Sequence, residues 1–136
     1  MSTVIVNVTR GTTIARHIDI AASFWARAQG LIGRADLPAD HALVLHPCNS
    51  VHALFLTFPL DVIYLDRDDR VLRVFCLRPW HVGPIVWRSR TVIELPTGTA
   101  ARTEIVAGDL IAWREPGDAG ARDAASYHLL RMRHGN

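Results

Sequence analysis

The chain has 136 residues, 49% of them hydrophobic and 21% charged. That is one domain's worth of sequence with enough apolar mass for a core, which excludes a wholly disordered chain. The formal net charge is +2, and all 15 Lys/Arg positions are arginine, spread along the chain among 13 acids, so no nucleic-acid stripe with stacking aromatics is expected.

The opening MSTVIVNVTRG has a short apolar run with no charged region before it, unlike a signal peptide. The longest apolar stretch, Val51 to Leu60, contains His52 and Pro59 and is about half of a membrane span, so no integral membrane segment is expected. Two cysteines, Cys48 and Cys76, make no disulfide framework, and a cytoplasmic protein with reduced thiols is the default reading.

Thr3 to Val8 is β-branched and apolar, Thr9-Arg10-Gly11 is a turn, and Thr12 to Ile20 alternates, which predicts an opening hairpin. Over Ser23 to Arg34 the period changes. Phe24, Ala28, Leu31 and Ile32 share one helical face and Gly33 stops it, so a packed helix is expected near residues 23–33. His41 to His46 is a short strand ended by Pro47. Val51 to Phe58 and Leu60 to Asp66 read as two strands joined at Pro59, which cannot donate to a ladder.

Asp66 to Arg70 is a polar turn into the strand Val71 to Leu77. Arg78 to Ser89 carries Pro79, Gly83 and Pro84 and reads as a long irregular loop with Trp80 and Trp87. Thr91 to Leu95 is the next strand. Ile105 to Val106 and Leu110 to Trp113, turning at Ala107-Gly108-Asp109, suggest a terminal hairpin. The expected architecture is mainly β (α+β): a small closed or half-closed antiparallel or mixed barrel of about seven strands with one packed helix. Residues 1–113 form the domain. From Arg114 to Ala121 the composition is that of a linker, and Asp123 to Arg133 reads as a short tail helix or flexible tail.

Arg27-Ala-Gln-Gly30-Leu31-Ile-Gly33-Arg34, the block His52 to Asp66 with its Pro59-Leu60-Asp61-Val62 core, and Val92-Ile93-Glu94-Leu95-Pro96-Thr97-Gly98 followed by Gly108-Asp109 occur in one order. Together they resemble domain-of-unknown-function family 192, an uncharacterised bacterial and archaeal family, across roughly Arg10 to Trp113. Leu56 stands where many members carry methionine, and Cys48-x-x-x-His52 is similar to a subgroup of the family. The resemblance implies a compact, mainly β fold with one packed helix. It brings no activity, although some members accompany pilus or secretion gene clusters.

Asp61 is the most pointed polar residue, a carboxylate on the strand face of Ile63 and Leu65. It is either a ligand-orienting acid or general base, or a carboxylate held by turn amides or by an arginine such as Arg27. His52 lies on the face of Leu54, Leu56 and Phe58, where a histidine satisfied inside the core is the ordinary case. His46, Cys48 and His52 form H-x-C-x-x-x-H, ligand types that suit zinc, with Cys76, Asp61 or His81 as the missing ligand. Without a second close ligand pair, no metal is the base expectation. Cys48 with His52 as base is a conceivable thiol nucleophile.

Cys76 is expected to be a core thiol. Glu94, the single charge in Val92 to Leu95, is expected to pair with a buried-side arginine, Arg27 first. Asp109 follows Gly108 and is expected to fix a tight turn. Trp80 and Trp87 sit in the best candidate for an exposed recognition loop. The candidate pocket is therefore Cys48, His52, Asp61, Trp80, Glu94 and Arg27. The leading functional expectation is an accessory module that binds a protein partner or small ligand, beside pilus or secretion machinery. The alternative is a metal-dependent or thiol enzyme using Cys48, His52 and Asp61.

Overall fold

A computed structural model describes residues 3–21, 37–54 and 56–115. The expected helix near residues 23–33, Arg27 within it, and the tail after residue 115 lie outside the described residues.

Among the described residues eight strands occur: β1 Val4–Asn7, β2 Thr12–Ala15, β3 His17–Ala21, β4 His41–Leu45, β5 Leu60–Leu65, β6 Val71–Leu77, β7 Thr91–Pro96 and β8 Ile111–Arg114, with one short helix, α1, at Thr99–Arg102. They build two sheets, β2-β1-β8 and β3-β4-β7-β5-β6. Only the β3–β4 pair is parallel among these ladders. The mainly β expectation is met in its half-closed form: the two sheets share a core and do not join into one closed barrel.

Strand alternation decides what each face buries. Ile5 and Ile14 from the small sheet meet Ile63, Leu65, Ile93 and Leu95 of the large one, with Trp113 from β8 completing the cluster. Residues of opposite parity, Val62, Tyr64 and Val92, face a second cluster with Leu43, Leu45, Leu56 and Phe58. A sheet covered on both faces gives its central strands no solvent side, so all six residues of β5 are buried. Each fully buried Ile or Leu here contributes about 1.5–3 kcal/mol relative to exposure.

The stretch expected as one strand, Thr12 to Ile20, divides at Arg16 into β2 and β3, which belong to different sheets. The Asp40 carbonyl accepts the amides of both Arg16 (3.1 Å) and His17 (3.0 Å), anchoring the crossover. Val51 to Phe58 is not a strand. Its buried residues Val51, Ala53, Leu56 and Phe58 lose period two between 53 and 56, where the Leu56 amide turns back onto the Ala53 carbonyl at 3.2 Å. The run covers the second cluster as a loop, with one bridge, His52 to Val82.

The expected terminal hairpin is also replaced. β8 pairs along its length with β1, so the start and end of the domain close on each other and Ile105 is left as a buried loop residue.

Candidate functional site

Asp61 and Glu94 occupy adjacent strands but opposite faces of the large sheet. Asp61 shares parity with Ile63 and Leu65 of the first cluster, whereas Glu94 shares parity with Val92 of the second. Asp61 is 7% exposed, and its Oδ2 accepts the amides of Gly98 (2.9 Å) and Ala100 (3.0 Å). It therefore holds the turn into α1. Gly98 sits at φ 96°, a conformation that only glycine adopts without strain, so β7's exit and Asp61 fit one backbone path. Of the two roles open to Asp61 in the sequence, the geometry realises the one in which turn amides satisfy the carboxylate.

Glu94 lies at 0% exposure in the middle of the sheet, opposite Leu43 on β4 and Val62 on β5. Its expected partner, Arg27, is outside the described residues. On the same face Tyr64 is fully buried, and its hydroxyl is pushed up to about 12 by burial and by the nearby Cys48 and Glu94, against the lowering effects of the Val51 amide and Arg73. Cys48, Tyr64 and Glu94 thus share one electrostatic neighbourhood. Asp61 faces away from it.

The segment 46–50 is laced to the entry of β7. The Arg90 carbonyl accepts the Cys48 amide at 2.9 Å, Ser89 Oγ donates to the Cys48 carbonyl at 3.0 Å, and His46 Nδ1 lies 3.0 Å from Thr91 Oγ1. The half-buried Cys48 thiol donates to the Ser50 carbonyl at 2.9 Å, and His52 Nδ1 accepts the Leu54 amide at 3.3 Å. Each group thus bonds to backbone two residues on. Among the described residues no three His, Cys, Asp or Glu side chains gather as a metal site would require. Cys76, expected in the core, is instead exposed on β6, an edge strand that also exposes Arg73.

The segment from Arg78 to Arg90 is irregular, as its prolines and glycine imply, yet it is pinned along its whole length. Trp80 donates to the Ala53 carbonyl, Ala53 to His81, Gly83 to Val51, Val86 to Asn49 and Arg90 to Leu65, all at 2.7–2.9 Å. The Tyr64 hydroxyl donates to the Pro84 carbonyl at 2.8 Å. This tight backbone nevertheless leaves Trp80 (59%), Val82 (68%), Ile85 (58%) and Trp87 (79%) exposed. Trp80 itself is held at φ 64°, an uncommon value for a tryptophan.

Sequence reasoning named the two tryptophans here but not Val82, Ile85 or Tyr64. Nor did it register the charge around them: Asp69 and Glu94 bracket five arginines, Arg70, Arg73, Arg78, Arg88 and Arg90, with no acid between. All five are exposed. The near-neutral total conceals this local excess, so the arginines are interleaved with acids elsewhere but not in this stretch.

Of the described helices, none is long and apolar enough to cross a membrane. A UPF0127 protein of Thermococcus gammatolerans is 32% identical over 115 residues, covering 80% of this chain and 74% of its own length. Another from Pyrococcus horikoshii is 32% identical over 114 residues, covering 80% of this chain and 97% of its own. The fold is similar to the crystal structure of a protein of unknown function from Novosphingobium aromaticivorans, with a TM-score of 0.68 and 22% identity over 83% of this chain and 84% of that one. The family model described as Uncharacterized ACR, domain of unknown function 192, matches residues 5–113, and the chain belongs to that family.

Proposed function

We propose that the protein is a partner-binding accessory module and that residues 78–90 are its recognition element. The observation that supports this is the pairing of a hydrogen-bonded, preorganised backbone with four exposed large apolar side chains. Four large apolar side chains exposed within eight residues are an unusual concentration that suits contact with a partner, and a loop already fixed in one conformation has little ordering entropy left to lose on binding. The accessory role beside pilus or secretion machinery, and a cytoplasmic location with both thiols reduced, belong to this same proposal.

The enzyme alternative requires Cys48, His52 and Asp61 to meet at one point. Asp61 faces the other side of the sheet and its Oδ2 accepts two amides, which favours the binding reading over such a constellation.

Tagged full-length protein isolated from its host under mild salt, compared with a Trp80→Ala/Trp87→Ala variant, tests the proposal. The expected result is a stoichiometric companion retained by the original chain and lost from the variant, with the melting temperature within about 1–2 °C because both side chains are exposed. A companion held equally by both proteins overturns it. Metal analysis of the same preparation provides a second check: one equivalent of zinc that disappears in Cys48→Ser would restore the enzyme reading.

A further inference from the structure

The charge around the recognition loop says what kind of partner it fits. β6 ends at Leu77 beside Leu60, and the returning loop reaches Arg90, whose amide donates to the carbonyl of Leu65. The segment therefore travels the length of β5, roughly 17–20 Å for six residues. At its far end Trp87, Arg88 and Arg90 line a surface cleft with Asp66, Arg67 and Asp68 of the β5–β6 turn. Trp87 and the three guanidinium-bearing side chains are all exposed. Asp66 is engaged within its own turn: its Oδ1 accepts the amides of Asp68 (2.8 Å) and Arg70 (3.0 Å). Among the described residues the ion pairs are Arg10–Asp109 and Arg16–Asp40, and no arginine of the cleft is engaged in either.

From this we infer that the partner is an acidic polypeptide segment bearing large apolar side chains, which seats a hydrophobic residue on Trp87 and its carboxylates on Arg67, Arg88 and Arg90. The inference rests on the reading of residues 78–90 as the recognition element. Guanidinium forks match carboxylates bidentately, and Trp and Arg together dominate well-packed interface centres. Val82 and Ile85 give the choice of polypeptide over nucleic acid, because an aliphatic surface offers no stacking face to a base but packs against Leu, Ile or Phe. Asp68, exposed among the arginines, disfavours a uniformly anionic membrane surface and suits a ligand with spaced charges.

The test is selection from a display library of random peptides about twelve residues long, on the full chain and on three variants, Trp80→Ala/Trp87→Ala, Arg88→Glu/Arg90→Glu and Arg67→Glu. The expected result is a pool enriched in Asp and Glu alternating with apolar residues. The best selected peptide, labelled for anisotropy, should bind at least tenfold more weakly to either arginine variant, at unchanged melting temperature, and should weaken as salt rises. A pool without acid enrichment, or one bound equally by the arginine variants, overturns the acidic partner while leaving the loop as recognition element. A pool selected equally well by the tryptophan variant overturns the loop itself. Tighter binding of single-stranded DNA or of anionic phospholipid vesicles than of the selected peptide also overturns the inference.

Discussion

The Tyr64 hydroxyl donates to the Pro84 carbonyl at 2.8 Å, joining a fully buried side chain of the central sheet to the midpoint of the loop that carries the exposed tryptophans. Core and loop are thereby mechanically linked. The linkage is also titratable. Burial, followed by the nearby Cys48 and Glu94, raises the hydroxyl from 10.0 to about 12 in the folded chain. A raised folded-state value means the neutral form is the one the fold selects. Its stabilising contribution is complete below pH 10 and is lost as pH climbs through the window between 10 and about 12. Tyr64→Phe should cost about 1–2 kcal/mol at pH 7 by removing the bond to Pro84. It should also flatten the decline in stability between those two values. Urea melts of both proteins across the alkaline range check this, and parallel curves would refute it.

Gly83 makes the same linkage steric. A Cβ at this position would lie 2.9 Å from the Tyr64 hydroxyl and 3.1 Å from both Phe75 and Val51. Gly83→Ala should therefore destabilise by about 1–3 kcal/mol as the loop or the ring shifts. Because the tightest of the three contacts is the hydroxyl, adding Tyr64→Phe should recover part of that loss, so the double variant is less destabilised than the sum of the singles. Strict additivity in denaturant melts would show that the hydroxyl does not set the approach of the loop.

The strands were legible where apolar pattern and turn chemistry agreed. Val71 to Leu77 and Thr91 to Leu95 emerged close to their observed limits because Asp66 to Arg70 and Pro96 to Gly98 punctuate them. Val51 to Phe58 misled because an apolar run bounded by prolines satisfies the strand template equally well when it is a loop lying on a core. The hairpin expected at Ile105 failed for a different reason: β1 offered β8 a partner about a hundred residues away that local patterning cannot see. The apolar neighbours of Cys76 point to the core, but β6 is an edge strand with solvent-facing positions on both parities, and Cys76 occupies one of them. At the candidate site, the role of Asp109 as holder of a turn is legible from the adjacent Gly108, whereas Asp61 has no glycine beside it and its turn amides come from Gly98 and Ala100, far along the chain. That Asp61 and Glu94 face opposite ways depends on which strands pair, and residue spacing within a single strand carries no such information.

Asp61 is predicted to be a structural carboxylate of unusual weight. Its Oδ2 takes both the Gly98 and the Ala100 amides, so Asn can retain the two bonds in neutral form while Ala leaves both donors unsatisfied. Asp61→Asn should lose about 1 kcal/mol and Asp61→Ala about 2–4 kcal/mol. The exposed Asp19, changed to Asn, should stay within about 0.5 kcal/mol. Equal melting temperatures for the Asp61 and Asp19 variants would refute the assignment. Partner binding by Asp61→Asn should be unchanged, since the carboxylate lies away from the recognition loop.

Asp109 is predicted to contribute to the acid limit of the fold. Its buried Oδ2 gathers Asn7 Nδ2 at 2.8 Å, the Val106 amide at 3.1 Å and Arg10 Nε at 3.2 Å, tying the turn after β1 to the turn before β8. Desolvation alone would raise its value, but the bonds from Asn7, Val106 and Arg10, with the charge of Arg10, outweigh it and hold the carboxyl below 3.8. A depressed folded-state value means the ionised form is the one the fold selects. The resulting stabilisation is present above the ordinary aspartate value of 3.8 and is lost as pH falls below it, through the depressed folded-state value. Asp109→Asn should lower stability at pH 7 by about 1–3 kcal/mol, because it replaces a carboxylate that accepts three donors with a group that also brings donors of its own. The same change should shrink the loss of stability in the acid range below 3.8. Melting curves taken at intervals across that range decide the matter: if the variant and the original chain lose stability in parallel, another carboxylate governs the acid transition.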